Sequence, residues 1–247
     1  MSTISETGHA INVANLETLI TSVTAFGASY NPAKTSLKIP ALTGLLTTAR
    51  EALNAVNVAQ SAYSNAVDAR EVAFEPFGKL ITRVNNALKA SDTTPQVDES
   101  AQTIFRKLQG KRAGVKLSDQ EKDTEENGKE ANQISTAQLS YDSKLENLDK
   151  LIMLLESTPP YAPNEEDLKV ASLKALYTSL KTTNTEVLTT SIQLSNARIN
   201  RNEILYKPIT GLVDIASDTK TYLKSVFGAT SPQYKQISKL KFTTKKD

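Results

Sequence analysis

Two arginines stand where the chain's own pattern calls for apolar side chains, and they are its leading candidates for chemistry. Arg70 and Arg201 recur 131 residues apart. Each is followed within two residues by a carboxylate, Glu71 or Glu203, and soon after by a proline, Pro76 or Pro208. A guanidinium taken out of water needs ionic or hydrogen-bonding partners. One use of such a pair is an anion or carboxylate site held beside the prolines. The other is structural: an internal ion pair with Glu71, Glu75 or Glu203 that fixes register, or an arginine whose stem lies along the seam while its head reaches water. The structural use is the favoured one.

Other catalytic signatures are missing. His9 is the sole histidine and falls in what reads as a frayed N-terminus, and there are no cysteines. A zinc site would therefore rest on carboxylates around one imidazole, and a Ser-His-Asp triad would have to use His9 without a Gly-x-Ser-x-Gly turn. No Gly-x-Gly-x-x-Gly or Walker loop occurs. Glu165-Glu166-Asp167 reads as first-turn charge complementing a helix dipole. These residues predict no enzyme activity, no cofactor and no metal.

The elements that must position the arginines are written twice. Asn15-Leu16-Glu17-Thr18-Leu19-Ile20 returns as Asn147-Leu148-Asp149-Lys150-Leu151-Ile152, 132 residues later. Tyr30, Pro32 and Leu37-Lys38-Ile39 return as Tyr161, Pro163 and Leu168-Lys169-Val170 at 131; Glu71, Pro76 and Leu80 return as Glu203, Pro208 and Leu212 at 132. A repeat of this length is a single tandem duplication rather than a solenoid. It divides the chain into a first copy at 1–110, a charged flexible linker at 111–135 and a second copy at 136–247, packed as one body.

Scarce glycine and proline and no sustained apolar–polar alternation predict helices throughout. Each copy reads as three helices. In the first they lie near 10–26, 33–89 and 97–109, ending at Gly110. In the second, two are placed, from about 136 to 157 and, capped by Asn164, from 165 to 226, with Gly228 aligned to Gly110. Within the long helices, steps of three and four from Leu42 give Leu45, Ala49, Ala52, Val56, Ala59, Tyr63, Ala66, Arg70 and Ala73. Adding 131 gives Leu173, Leu176, Leu180, Thr183, Val187, Thr190, Leu194, Ala197, Arg201 and Ile204. Such spacing keeps one stripe facing a partner helix, so the two long helices are expected to pack together. Pro76 and Pro208 are expected to kink or break them. The fold class is all-α: an elongated bundle of two pseudo-symmetric three-helix copies, each with one long proline-kinked helix.

Ser195-Asn196-Ala197-Arg198-Ile199-Asn200-Arg201-Asn202, and the segment from Val226 to Gln236, resemble an uncharacterised family of all-helical bacterial proteins of about this length. The resemblance implies no activity and no site residues.

The 247 residues carry a net charge of +2, too small to imply nucleic acid. The C-terminal lysines, Lys235, Lys239, Lys241, Lys245 and Lys246, read as a solvated tail. No secretory signal and no run of 18 apolar residues is present, so no integral membrane segment is expected and the cytoplasm is the parsimonious location. The expected function is a non-enzymatic structural or interaction protein that binds itself or a protein partner through long helical faces, as a homo-oligomer. The alternatives are a membrane-active protein releasing an amphipathic segment such as 212–227, and an anion- or small-ligand-binding bundle.

Overall fold

The computed structural model describes residues 6–110 and 139–244, and the linker lies outside them. Among the described residues there are helices and no strands. The helices are α1 (Glu6–Ala25), α2 (Ile39–Phe74), α3 (Phe77–Lys89), α4 (Pro95–Gln109), α5 (Tyr141–Glu156), α6 (Val170–Tyr206), α7 (Leu212–Phe227) and α8 (Pro232–Ser238).

The turns that launch the long helices are built alike. Gly27, at φ 55°, ends the approach from α1. Tyr30 is buried, and its hydroxyl donates to the Leu37 carbonyl at 2.5 Å across a 3-10 turn at Thr35–Leu37. The Tyr161 hydroxyl donates to Leu168 at 2.8 Å across Glu166–Leu168. Asn164 does not cap the helix that follows. Glu165 precedes the 3-10 turn without a side-chain cap, and the long helix begins only at Val170. Pro40 sits at the second residue of α2, where a missing N–H costs nothing.

Burial pushes both tyrosines up to about 12 from 10.0. At Tyr161 the nearby Asp167 and Glu165 add to the effect; at Tyr30 a hydrogen bond with Thr219 opposes it. The folded protein holds these protons more tightly than the unfolded chain. Stability is therefore complete below pH 10 and falls as pH rises towards 12. Tyr30→Phe and Tyr161→Phe should each cost about 1 kcal/mol at neutral pH and flatten that alkaline decline, as read by urea unfolding across the range.

Both prolines break the helix outright. Pro76 leaves the two-residue gap between α2 and α3; Pro208 lies in a five-residue gap, 207–211. The long helices have 36 and 37 residues, so the one-residue shift from 131 to 132 is taken up as one extra helical residue in α6. The wider second gap moves the register again. Core positions Phe77, Ile81, Val84 and Leu88 of α3 correspond to Leu212, Ala216, Thr219 and Leu223 of α7, an interval of 135. Leu212 is thus the counterpart of Phe77 rather than of Leu80. The Gly110–Gly228 alignment is corrected too: Gly110, at φ 68°, ends α4, whereas Gly228 ends α7, whose core positions match those of α3. Ser231 starts α8 by accepting from the Tyr234 N–H, with Pro232 at its first position.

Compactness divides the chain differently from the recurrences in its sequence. One unit holds Met1–Ser64 with Thr190–Asp247, the other Asn65–Thr189. The first unit's core joins Leu16, Leu19 and Val23 of α1 to Leu42 and Leu46 of α2, Leu205 of α6, and Leu212 and Leu223 of α7. The second joins Ile81 and Leu88 of α3, Phe105 of α4, Leu148, Leu151 and Leu155 of α5, and Leu173 and Leu180 of α6. Each unit therefore draws on both copies. All twenty seam positions are buried or half-buried. Within the first unit Arg198 of α6 donates to Gln60 of α2 at 2.9 Å.

Candidate functional site

Arg70 lies in the second unit. Its Nη1 donates to Asn184 Oδ1 at 3.1 Å, and Asn184 Nδ2 donates to Asp142 Oδ1 at 2.7 Å. The guanidinium carbon sits 4.1 Å from the centroid of the Tyr141 ring. The arginine on the seam is thus met by an amide and an aromatic face, not by Glu71 or Glu75, which are exposed. Its buried Nε has no hydrogen-bond partner. Asn184 is 5% exposed and connects the other two side chains. Asn184→Leu leaves Arg70 Nη1 without its amide acceptor and should cost about 1–3 kcal/mol. Arg70→Met removes the unsatisfied nitrogen but leaves the buried Asn184 Oδ1 without its donor and gives up the Tyr141 contact, so it should cost about as much. Urea unfolding of both variants and of the double variant checks the coupling; strictly additive losses would contradict it.

Arg201 lies in the first unit, 4% exposed, with Nε and Nη2 donating to Asn202 Oδ1 at 3.2 and 3.0 Å. Glu203 is exposed and lines an open groove of about 580 Å³ with Ile199, Asn202, Tyr206, Lys207, Pro208, Val213, Asp214 and Thr244. The two arginines occupy different units, with Asn184 accepting from one and Asn202 from the other.

His9 requires a correction, because it is neither frayed nor exposed. It belongs to α1, is 3% exposed, and its Nδ1 lies 2.6 Å from the Tyr206 hydroxyl. Asn12 Nδ2 also donates to that hydroxyl, at 3.3 Å. The rings of His9 and Tyr206 are 5.6 Å apart; those of Tyr141 and Phe74, at the matching positions 132 residues away, are 4.8 Å apart. One sequence position thus carries the same ring pair in both units. A comparison of the copies at 132 would have exposed it, whereas a search for metal ligands around one histidine could not. Among the described residues no three His, Cys, Asp or Glu side chains gather as a metal site.

A second open groove, about 630 Å³, lies in the second unit beside the Tyr161 turn. Its Arg83 is already paired with Asp167, and Asn86, Ser91, Asp92 and Asn164 also line it. Glu166 is paired with Lys169. The carboxylates of the run at 165–167 are therefore engaged in local ion pairing or facing solvent.

The arrangement with the clearest consequence is apolar. Ile192 and Ile199 project from α6 in the first unit, 62% and 58% exposed. Seven residues apart, they share one face. Their counterparts at 131, Ser61 and Asp68, are exposed and polar. Further along, Ile209 is 72% exposed and takes φ 69°, a conformation that a β-branched residue adopts at a cost of about 1–2 kcal/mol. Asp214 Oδ2 accepts from the Ile209 N–H at 2.7 Å, and the Thr210 N–H donates to the Pro208 carbonyl at 2.8 Å, which closes the turn. No helix among the described residues is long and apolar enough to cross a membrane. Compared with protein-family models, curated proteins and solved structures, the chain has no match.

Proposed function

We propose that this protein is a non-enzymatic helical interaction protein that associates with a second copy of itself through the outward face of α6 in the first unit. One observation carries the proposal. Of two related long helices, one keeps Ser61 and Asp68 on its water-facing side and the other places Ile192 and Ile199 at the same positions. The core does not draw on those isoleucines, since the inner face of α6 supplies Leu194 with the rest of the seam, and Leu205 beside it. An apolar pair at a seven-residue interval suits a helix as partner, and an isologous contact lets one patch serve both subunits. The amphipathic stretch Leu212–Phe227 spends its apolar face on the first unit's core, which favours this reading over release of a membrane-active segment.

Since the chain has no cysteine, Ile199→Cys introduces a unique thiol. Mild oxidation should link copies through position 199, while Asp68→Cys on the matching face of α2 should not cross-link. Equal cross-linking of the two variants, or none of either, would overturn the proposal.

A further inference from the structure

The final described residues, 239–244, are not helical and lie along α1 and α7 of the first unit. They and Ser238 are held by their backbone. Lys220 Nζ donates to the carbonyls of Ser238 at 3.2 Å and Leu240 at 2.9 Å. Asn15 Nδ2 donates to the Lys241 carbonyl at 2.7 Å. Asn12, wholly buried, meets both peptide groups of one residue: its Nδ2 donates to the Thr243 carbonyl at 2.9 Å, and its Oδ1 accepts from the Thr243 N–H at 2.8 Å. An amide that gives and takes in this way substitutes for a neighbouring strand. Burial pulls the Lys220 ammonium below its ordinary pKa.

The side chains alternate. Leu240 and Phe242 pack against the first unit's core, while Lys239, Lys241 and Thr243 are exposed. Backbone hydrogen bonds with anchors at every second residue are how extended peptides are recognised. Nothing in such contacts depends on the peptide belonging to the same chain.

We propose that Asn12, Asn15 and Lys220 line a groove for an extended peptide of the form Leu-x-Phe, filled within one chain by its own Leu240-Lys241-Phe242 and, on assembly, by that segment of a second copy. The occupant in trans rests on the proposed self-association, but the arm's anchors, Leu240 and Phe242, are not among the residues lining the groove that Ile199 shares with Thr244. Exchange of a terminal arm creates no new contact type and is a low-cost route to a dimer.

The test uses the full chain with Leu240→Ser and Phe242→Ser, which empties the groove while keeping the arm. A fluorescent peptide of residues 238–244 is titrated into this variant and into wild type, with anisotropy as the readout. The variant should bind saturably and at least about tenfold more tightly than wild type, whose own arm competes at an effective concentration on the order of 1 mM. A peptide with the same two serines should bind at least about tenfold more weakly. No binding by the folded variant, or equal binding of the two peptides, overturns the proposal. If the double variant does not fold, full-length Phe242→Ser, which removes one anchor of the arm and leaves every groove residue in place, replaces it; peptide uptake no greater than wild type then overturns the proposal. Adding Ile192→Ser, which lies outside the groove shared by Ile199 and Thr244, should weaken self-association and leave peptide uptake intact, so failure of the groove and failure of the helix-face reading give different results.

Discussion

Gly211→Ala should destabilise the protein by about 3 kcal/mol, more than any other exchange of a glycine for alanine among the described helices and turns. The reason is space rather than dihedral freedom, because Gly211 has an ordinary φ of −70°. A Cβ there would lie 2.6 Å from both the nitrogen and the carbonyl oxygen of Lys207, and 3.0 Å from the Leu205 carbonyl. These are backbone atoms at the end of α6 and cannot swing aside as a side chain would. Moving them breaks the 2.7 Å bond from the Gly211 N–H to the Lys207 carbonyl and disturbs the turn that holds Ile209 at positive φ. Gly44 and Gly78 are the controls. Both are helical with nothing within 4 Å of a new Cβ, so alanine should stabilise by about 0.5–1 kcal/mol. Urea unfolding of the three variants measures the contrast, and a loss below about 1 kcal/mol at Gly211 would contradict the described turn.

Ile192→Ser combined with Ile199→Asp should have the largest effect on function with almost none on folding. The variant gives α6 the residues that α2 carries at the matching positions, Ser61 and Asp68. Since both isoleucines are more than half exposed, thermal unfolding of the isolated chain should change by no more than about 0.5 kcal/mol. Association is another matter. At about 25 cal/mol per Å² of apolar surface removed from water, two isoleucines on each subunit contribute several kcal/mol to a symmetric contact, before ordering costs. Asp at position 199 also brings like charges together across the symmetry axis. Self-affinity should fall by at least about tenfold. A fall in both stability and association would instead make the pair part of the fold.

The helical scaffold was legible because its signal is periodic and local. A stripe at three- and four-residue steps is best satisfied on a helix turned inward, and all twenty seam positions are buried or half-buried. The recurrence of Tyr30 and Tyr161 was visible for the same reason, and both side chains close their turns onto the leucine seven residues on. What escaped was long-range or degenerate. Leu80 matched Leu212 because leucines are interchangeable in an alignment, but packing places Leu212 where Phe77 stands in the first copy. Position near the chain start suggests a frayed His9, whereas its environment is set by Tyr206, 197 residues away. Asn12 meets Thr243 across 231 residues, and no local pattern reports such a contact. For Arg70, charge suggested a glutamate partner. The fold instead supplies Asn184 and the Tyr141 ring, and an amide one residue beyond the seam has no signature of its own.

The most direct test is sedimentation equilibrium of the wild-type chain and the Ile192→Ser, Ile199→Asp variant, side by side over a wide concentration range. Wild type should rise from the monomer mass of 26.9 kDa towards twice that value as concentration increases, while the variant stays at the monomer mass. A wild-type chain that remains monomeric at every concentration, or a variant that assembles equally well, would contradict an interaction face on α6.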